Sequence, residues 1–345
     1  MSPLPARKFK NPRAQHGFQG RTCSIVGVGS YVPERILTNH DLEKMVDTSD
    51  EWITSRTGIK ARRIARKDEF TSDLAAQAAL RALQNAQVSP EQIDLIIVAT
   101  ITPDMPFPST ACLLQKKIGA RRAAAFDIEA ACSGFIFGLE IGQQFIMSRT
   151  YDTVLVVGAE KLSSIIDWRD RNTCVLFGDG AGAAILQNRP KAHGLLTACM
   201  GADGEKAELL SMPGGGSRCP ATLESVSSGL HFLRMDGRET FKSAVNAMFT
   251  AAEEALRRCE LEISQIKCVI PHQANRRIID AVTERLGVQP EQVFVNLEKY
   301  GNTSAASVAI ALDEAVQSGR IQTGDLVLLI VFGAGLTWGA AVIEW

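Results

Sequence analysis

A chain of 345 residues that is 46% hydrophobic and 22% charged has the composition of a packed protein of two domains, or of one fold built from two halves, and not of a disordered or fibrous one. Its net charge of −1 provides no global attraction to nucleic acid or to an anionic membrane, so neither is an expected partner. Eight cysteines without a CxxC pair point to a reducing, cytoplasmic setting, and five histidines without i, i+4 spacing or a cysteine cluster specify no metal site.

In chain order, residues 1–20 carry Arg7, Lys8, Lys10 and Arg13 without an apolar run, which predicts a disordered basic tail and no secretory signal. Residues 25–29 form a strand pattern containing Gly27 and Gly29. Pro33 rather than a helix follows, so this is not a dinucleotide fingerprint. Residues 60–67 include Arg62, Arg63 and Arg66 but no interleaved aromatics, which predicts a solvated face. Thr71 is predicted to cap a helix running to about Ala86; Ser89 and Pro90 turn the chain into an apolar strand over 93–99. AFDIEAACSGFIFGLEIGQQFIMS at 125–148 then reads as strand, tight bend and helix, and LFGDGAGAAIL at 176–186 as a Gly turn leading into a buried strand.

The same order returns downstream. A helix over about 238–258, a turn at Ile263 and Ser264, and a strand over 266–270 precede VFVNLEKYGNTSAASVAIALDEAVQSG at 293–319, again strand, bend and helix. VFGAGLTWGAAVI at 331–343 closes the second half as 176–186 closes the first. The predicted organisation is therefore an internal duplication, residues 21–190 and 191–345, joined near residue 190. Residues 212–229, rich in Gly, Ser and Pro, have no counterpart and are expected at the surface. The uncharged stretch 326–343 is long enough for a membrane helix, but Gly333, Gly335 and Gly339 divide it into two expected strands. Fully apolar strands alternating with helices specify an α/β fold whose sheets are covered on both faces.

Three side chains of this pattern can do chemistry. Cys132 follows a strand and begins a helix, where free backbone N–H groups and the helix dipole favour a thiolate; a buried structural cysteine would occupy the same position. His272 ends an apolar strand, with Asn275 placed to cap the next helix. Gly301-Asn302-Thr303 is sound turn chemistry by itself, yet the duplication sets Asn302 at the bend equivalent to that of Cys132. A thiol beside two neutral hydrogen-bonding groups suits covalent acyl transfer followed by stabilisation of an enolate or oxyanion.

AACSGF at 130–135, PHQAN at 271–275, YGNTSAAS at 300–307 and FGAGLTWG at 332–339 together resemble the β-ketoacyl-acyl carrier protein synthase III family of the thiolase superfamily, over roughly residues 21–345. The resemblance implies a thiolase fold, duplicated βαβαβαββ halves in a layered αβαβα arrangement, assembled as a homodimer. It implies that Cys132 takes an acyl group, expected to be acetyl, from acyl-coenzyme A. His272 and Asn302 would then promote decarboxylation of malonyl-acyl carrier protein, whose enolate attacks the acyl-cysteine. A related starter-unit or secondary-metabolite enzyme using another short or branched primer is the alternative. The oxyanion hole would use the backbone N–H groups of Cys132 and Ala334, the latter with a strain cost if the turn requires positive φ. Trp52, Arg56, Arg171, Gly237 and Asn275 would contact coenzyme A, Lys242 and Arg277 would meet the acidic carrier protein, and Phe107 would reach across the dimer to limit the partner's acyl pocket. No bound cofactor is expected, since both thioesters are substrates.

Overall fold

The computed structural model describes residues 21–189 and 194–345. The expected tail, residues 1–20, and the expected join near residue 190 lie outside the described residues. Upstream of that join, β1 (Cys23–Tyr31), β2 (Leu95–Ala99), β3 (Ala124–Ile128), β4 (Thr153–Glu160) and β5 (Gly180–Asn188) form one sheet in the order β1-β5-β4-β2-β3. Downstream, β6 (Leu195–Ala202), β7 (Cys268–Pro271), β8 (Leu326–Gly333) and β9 (Thr337–Glu344) form a second in the order β7-β8-β9-β6. Parallel pairs join β2 to β3 and β4, and β7 to β8; the remaining pairs are antiparallel. The two orders are the same, with β6, β9, β8 and β7 in the places of β1, β5, β4 and β2.

The predicted strand at 293, counterpart of β3, differs. It is reduced to one parallel bridge between Val269 and Val293. The Gln273 side chain substitutes for a strand neighbour there, accepting from Asn296 N at 2.9 Å and donating to Phe294 O at 3.3 Å. A side-chain amide satisfies buried peptide groups as a backbone would, without continuing the ladder.

Six helices cover the sheets: α1 (Thr71–Ala86), α2 (Thr110–Ile118), α3 (Gly134–Met147), α4 (Gly237–Cys259), α5 (Arg276–Leu286) and α6 (Ala306–Gln317). Helices α1 and α2 pack on the outside of the first sheet and α4 on the outside of the second, with α5 against α4. Between the sheets lie α3 and α6, and α6, from the second half, packs on β1, β4 and β5 of the first. The central layer thus joins the two halves through one core, in which Ile97, Val156, Leu329 and Val331 have no exposed surface. Each such side chain contributes roughly 1.5–3 kcal/mol by leaving water.

The glycines at 27–29 and 180–182 are packing residues. A Cβ at Gly29 would stand 2.3 Å from Ala82 N in α1, and one at Gly182 would stand 2.5 Å from Ala309 Cβ in α6. Stretch 326–343 forms β8 and β9, paired antiparallel, and among the described residues no helix is long and apolar enough to cross a membrane.

Two local expectations are corrected. Thr71 does not cap α1: its hydroxyl donates to Thr102 O, and the Asp73 and Asp104 carboxylates instead accept from the N–H groups of Phe70 and Ser72. Residues 60–67 are not wholly a solvated face, because Arg62 is fully buried and donates to Leu37 O, Asn39 Oδ1 and Val175 O. Burial lowers its guanidinium to about 10, still charged at neutral pH.

Candidate active site

Cys132 lies in a single turn of 3-10 helix, Ala131–Ser133, and α3 begins two residues after it at Gly134. Ala131 holds φ at 45°, a left-handed conformation that costs a non-glycine residue of order 1 kcal/mol and turns the chain sharply out of β3. From the other half, the end of β8 passes directly over this turn: a Cβ on Gly333 would lie 2.7 Å from Cys132 N. Thr337 ties the two segments, donating at 2.9 Å to both Ala130 O and Ala334 O. Ala334 itself has no positive φ, because the adjacent Gly335 takes that conformation at 127°. The turn does not require positive φ at Ala334, so the conditional strain cost does not arise.

The thiol is buried, at 6% exposure, and burial pushes it up to about 12, with the Ser304 hydroxyl acting against this and the Glu160 carboxyl adding to it. Burial therefore favours the neutral thiol, against the thiolate that the Ser304 hydroxyl and the peptide N–H favour.

His272 follows β7 and is held by its own N–H to Ile330 O at 2.7 Å and by its Nδ1 against Ser307 Oγ at 2.6 Å. Burial alone lowers it to about 3, so the imidazole is neutral across the physiological range. The tautomer in which Ser307 donates to Nδ1 is the one that places the imidazole hydrogen on Nε2. Asn302 is fixed by backbone pairing on both sides, its N–H to Leu176 O and its carbonyl from Gly178 N. Its Oδ1 accepts from Ser304 N at 2.8 Å, which leaves the amide hydrogens for a ligand. It does not cap α6, whose N-cap is Ala305.

Cys132, His272 and Asn302 line one cavity of about 130 Å³ together with Gly237, Asn275 and Phe332. Asn275 caps α5 as expected, accepting from Arg277 N at 2.9 Å. Leu210 and Met235 also line the cavity and, like Trp52, pack against one apolar cluster that includes Ile53 and Phe177. The Arg56 and Arg171 guanidinium carbons each lie 4.8 Å from the Trp52 ring centre, so Arg171, distant in sequence, is brought to Trp52 and Arg56, which share the helix Asp50–Thr57. Lys242 on α4 and Arg277 on α5 are exposed; Lys242 pairs with Glu239, and Arg277 stands 5.7 Å over Phe241. Phe107 is apart from the cavity residues and 84% exposed. Among the described residues no group of three His, Cys, Asp or Glu is placed to hold a metal ion.

Three side chains of the site escaped the sequence reading: Glu160, Ser304 and Ser307. Glu160 carried a faint signal, as the one acid closing the otherwise apolar run 154–159. The two serines stand in the motif at 300–307, but nothing along the chain marks their partners.

Duplicated halves enclosing a central helical layer, with a buried cysteine where they meet, define the class as a thiolase-fold enzyme. Models described as 3-oxoacyl-[acyl-carrier-protein (ACP)] synthase III match residues 126–204, and its C-terminal part residues 256–345. A β-ketoacyl-[acyl-carrier-protein] synthase III of Caldanaerobacter subterraneus subsp. tengcongensis is 59% identical over 94% of this chain and 98% of its own length. The crystal structure of 3-oxoacyl-[acyl-carrier-protein] synthase III from Aquifex aeolicus VF5 superposes with a TM-score of 0.88 at 50% identity, covering 94% of this chain and 100% of that one. The priming β-ketosynthase from the R1128 polyketide biosynthetic pathway superposes at 0.87 and 39% identity, covering 94% and 96%. This chain belongs to the β-ketoacyl-[acyl-carrier-protein] synthase III family of acyltransferases.

Proposed function

We propose that this chain catalyses the initiating condensation of type II fatty acid synthesis. The Cys132 sulfur attacks the carbonyl of an acyl-coenzyme A, its proton leaves on the sulfur of coenzyme A, and an acyl-cysteine remains. Malonyl-acyl carrier protein then loses carbon dioxide, and the resulting enolate carbon attacks the acyl-cysteine carbonyl. The carbon–sulfur bond breaks, Cys132 regains a proton from solvent, and 3-oxoacyl-acyl carrier protein leaves. No cofactor is needed, because the electron pair for the new bond comes from the lost carboxylate.

The observation that carries this reading is the neutral pair His272 and Asn302 sharing one cavity with a thiol. Two fixed, uncharged donors can hydrogen-bond a thioester oxygen as it becomes an enolate, without protonating it beforehand. The N–H groups of Cys132 and Ala334, held together by Thr337, are the proposed donors to the tetrahedral oxyanion of the acyl-transfer steps. We assign the Trp52, Arg56 and Arg171 cluster to the adenine end of coenzyme A, and Gly237 and Asn275 to its pantetheine arm along the cavity. Exposed Lys242 and Arg277 are assigned to the acidic carrier protein. The exposure of Phe107, with Met105 nearby at 43%, supports a homodimer in which this loop narrows the partner's acyl pocket and favours acetyl.

Intact-mass spectrometry after mixing with acetyl-coenzyme A tests the first step. One acetyl adduct is expected on the native chain and none on Cys132→Ala. Failure of every short acyl-coenzyme A to form an adduct would remove the covalent mechanism. A preference for propionyl or isobutyryl would favour the starter-unit alternative, which likeness to the priming β-ketosynthase supports.

A further inference from the structure

Glu160 ends β4 with no exposed surface and is surrounded by hydrogen-bond donors. Its Oε2 accepts from Thr102 Oγ1 at 2.6 Å, Thr100 Oγ1 at 3.2 Å and Ile101 N at 3.2 Å; its Oε1 accepts from Ser304 Oγ at 3.0 Å. Each threonine hydroxyl oxygen also accepts a peptide N–H, Thr102 N at Thr100 and Lys161 N at Thr102, which helps orient its hydrogen toward Glu160. An ionised carboxylate, which only accepts, matches this ring of donors. The bond to Ser304 spans 144 residues and crosses from one half to the other. Ser304 holds φ at 49°, and its N–H is the group that fixes Asn302 Oδ1. A left-handed serine persists where its surroundings over-determine it.

We propose that Glu160 is a positioning residue for decarboxylation: by holding the Ser304 hydroxyl it fixes the turn that aims the Asn302 amide hydrogens into the cavity. The inference rests on the function proposed above, and it assigns Glu160 no contact with substrate. Burial raises Glu160 to about 7, against the Thr102, Ser304, Ile101 and Thr100 hydrogen bonds that lower it. Of the groups facing it, Thr100 and Thr102 after β2 and Ser304 before α6 are neutral, the Cys132 thiol ahead of α3 is titratable, and adjacent Lys161 turns away to the carbonyls of Arg66 and Glu69. Protonation would place a hydrogen on an oxygen that has donors on every side, so the turn is held at higher pH and loosened at lower pH.

The test separates the two half-reactions of the full-length enzyme. Acyl loading is followed by intact mass with acetyl-coenzyme A, and carbon dioxide release from malonyl-acyl carrier protein in single turnovers of preloaded enzyme. In the native protein, release is expected to fall as pH drops through about 7. Glu160→Gln puts an NH2 group where an acceptor is needed; release should fall about 10- to 100-fold, the scale of a misaimed catalytic group, and lose its pH dependence, while loading falls less than about threefold. Ser304→Ala should lower release and remove its pH dependence in the same way, and the double variant should lower release no further. Equal losses in both steps, or a Glu160→Gln enzyme that keeps the native pH dependence, overturns the proposal. If Glu160→Gln does not fold, Ser304→Ala decides, and native rates of release in that variant overturn it. Failure of the underlying reading would show differently, as undiminished release in Asn302→Ala.

Discussion

The bends at Cys132 and Asn302 occupy equivalent places, each between a strand position and a central helix, yet they differ in what they expose. At Cys132 the chain turns through one strained residue, Ala131, and the helix starts at once, so a thiol is held at the helix base under Gly333. At Asn302 the turn is longer, the strained residue is Ser304 on the far side, and the helix waits until Ala306. The incoming segment differs too: β3 pairs fully with β2, whereas Val293 makes a single bridge. Duplication supplied two similar corners, and local changes made one present a nucleophile and the other a fixed amide. A covalent bond and a hydrogen bond place different demands on a corner. The first needs an atom reachable from the cavity, the second a donor whose direction is locked.

The sharpest way to break this division is to remove each side chain and read the half-reactions separately. Cys132→Ala is expected to abolish acyl transfer, the largest effect, with no adduct by intact mass. Asn302→Ala and His272→Ala should leave loading measurable but lower carbon dioxide release by about 10²–10³, the usual scale for one lost donor to a developing oxyanion. Loss of loading to the same degree would mean the two corners do not divide the work.

Arg62 tests the support beneath the Asn302 corner, since it packs against both Gly178 and Gly301 while bonding three buried acceptors. Arg62→Met strands two buried carbonyls and one amide oxygen, and urea denaturation should show a loss of about 2–4 kcal/mol. A change below 1 kcal/mol would mean that water or neighbouring donors replace the guanidinium.

Acid should act on the same corner through His272. Its folded value is lowered to about 3 from an ordinary 6.5, so the unfolded chain takes up the proton first, and its contribution to stability is present above 6.5 and lost as pH falls toward 3. Glu160, raised to about 7, works in the opposite direction and favours the fold as pH falls from 7 toward its ordinary 4.5. Comparing native protein with His272→Asn between pH 7 and 4 isolates the first effect: the variant should lose less stability on acidification. The smallest expected change is at the surface. Lys242→Glu should raise KM for malonyl-acyl carrier protein several-fold in a salt-dependent way, as about 1 kcal/mol of exposed charge pairing would, and leave acetyl loading untouched.

Much of the architecture was legible because it is written in local pattern. Apolar runs, Gly turns and helix periods recur in the same order in both halves, so two similar sheets and the equivalence of Cys132 with Asn302 could be read from spacing. Asn275 as a cap and 326–343 as two strands followed from local chemistry. The motifs around Cys132, His272 and Asn302 identified the family before any contact was known. What neighbouring residues do not encode is burial and what crosses between halves. Arg62 reads as one member of a basic run, and only packing makes it a core residue. Gln273 ends a predicted strand by replacing its partner. Position at a helix start favours a thiolate at Cys132, but the second sheet lies over that turn, and desolvation works against the charge. Glu160 and Ser304 are 144 residues apart and mean nothing to each other along the chain. The sequence by itself determined the duplicated framework and the reacting groups, because periodicity and motif are short-range properties. The protonation states and aim of those groups were decided by tertiary structure, because both depend on which surfaces exclude water when the two halves close on one another.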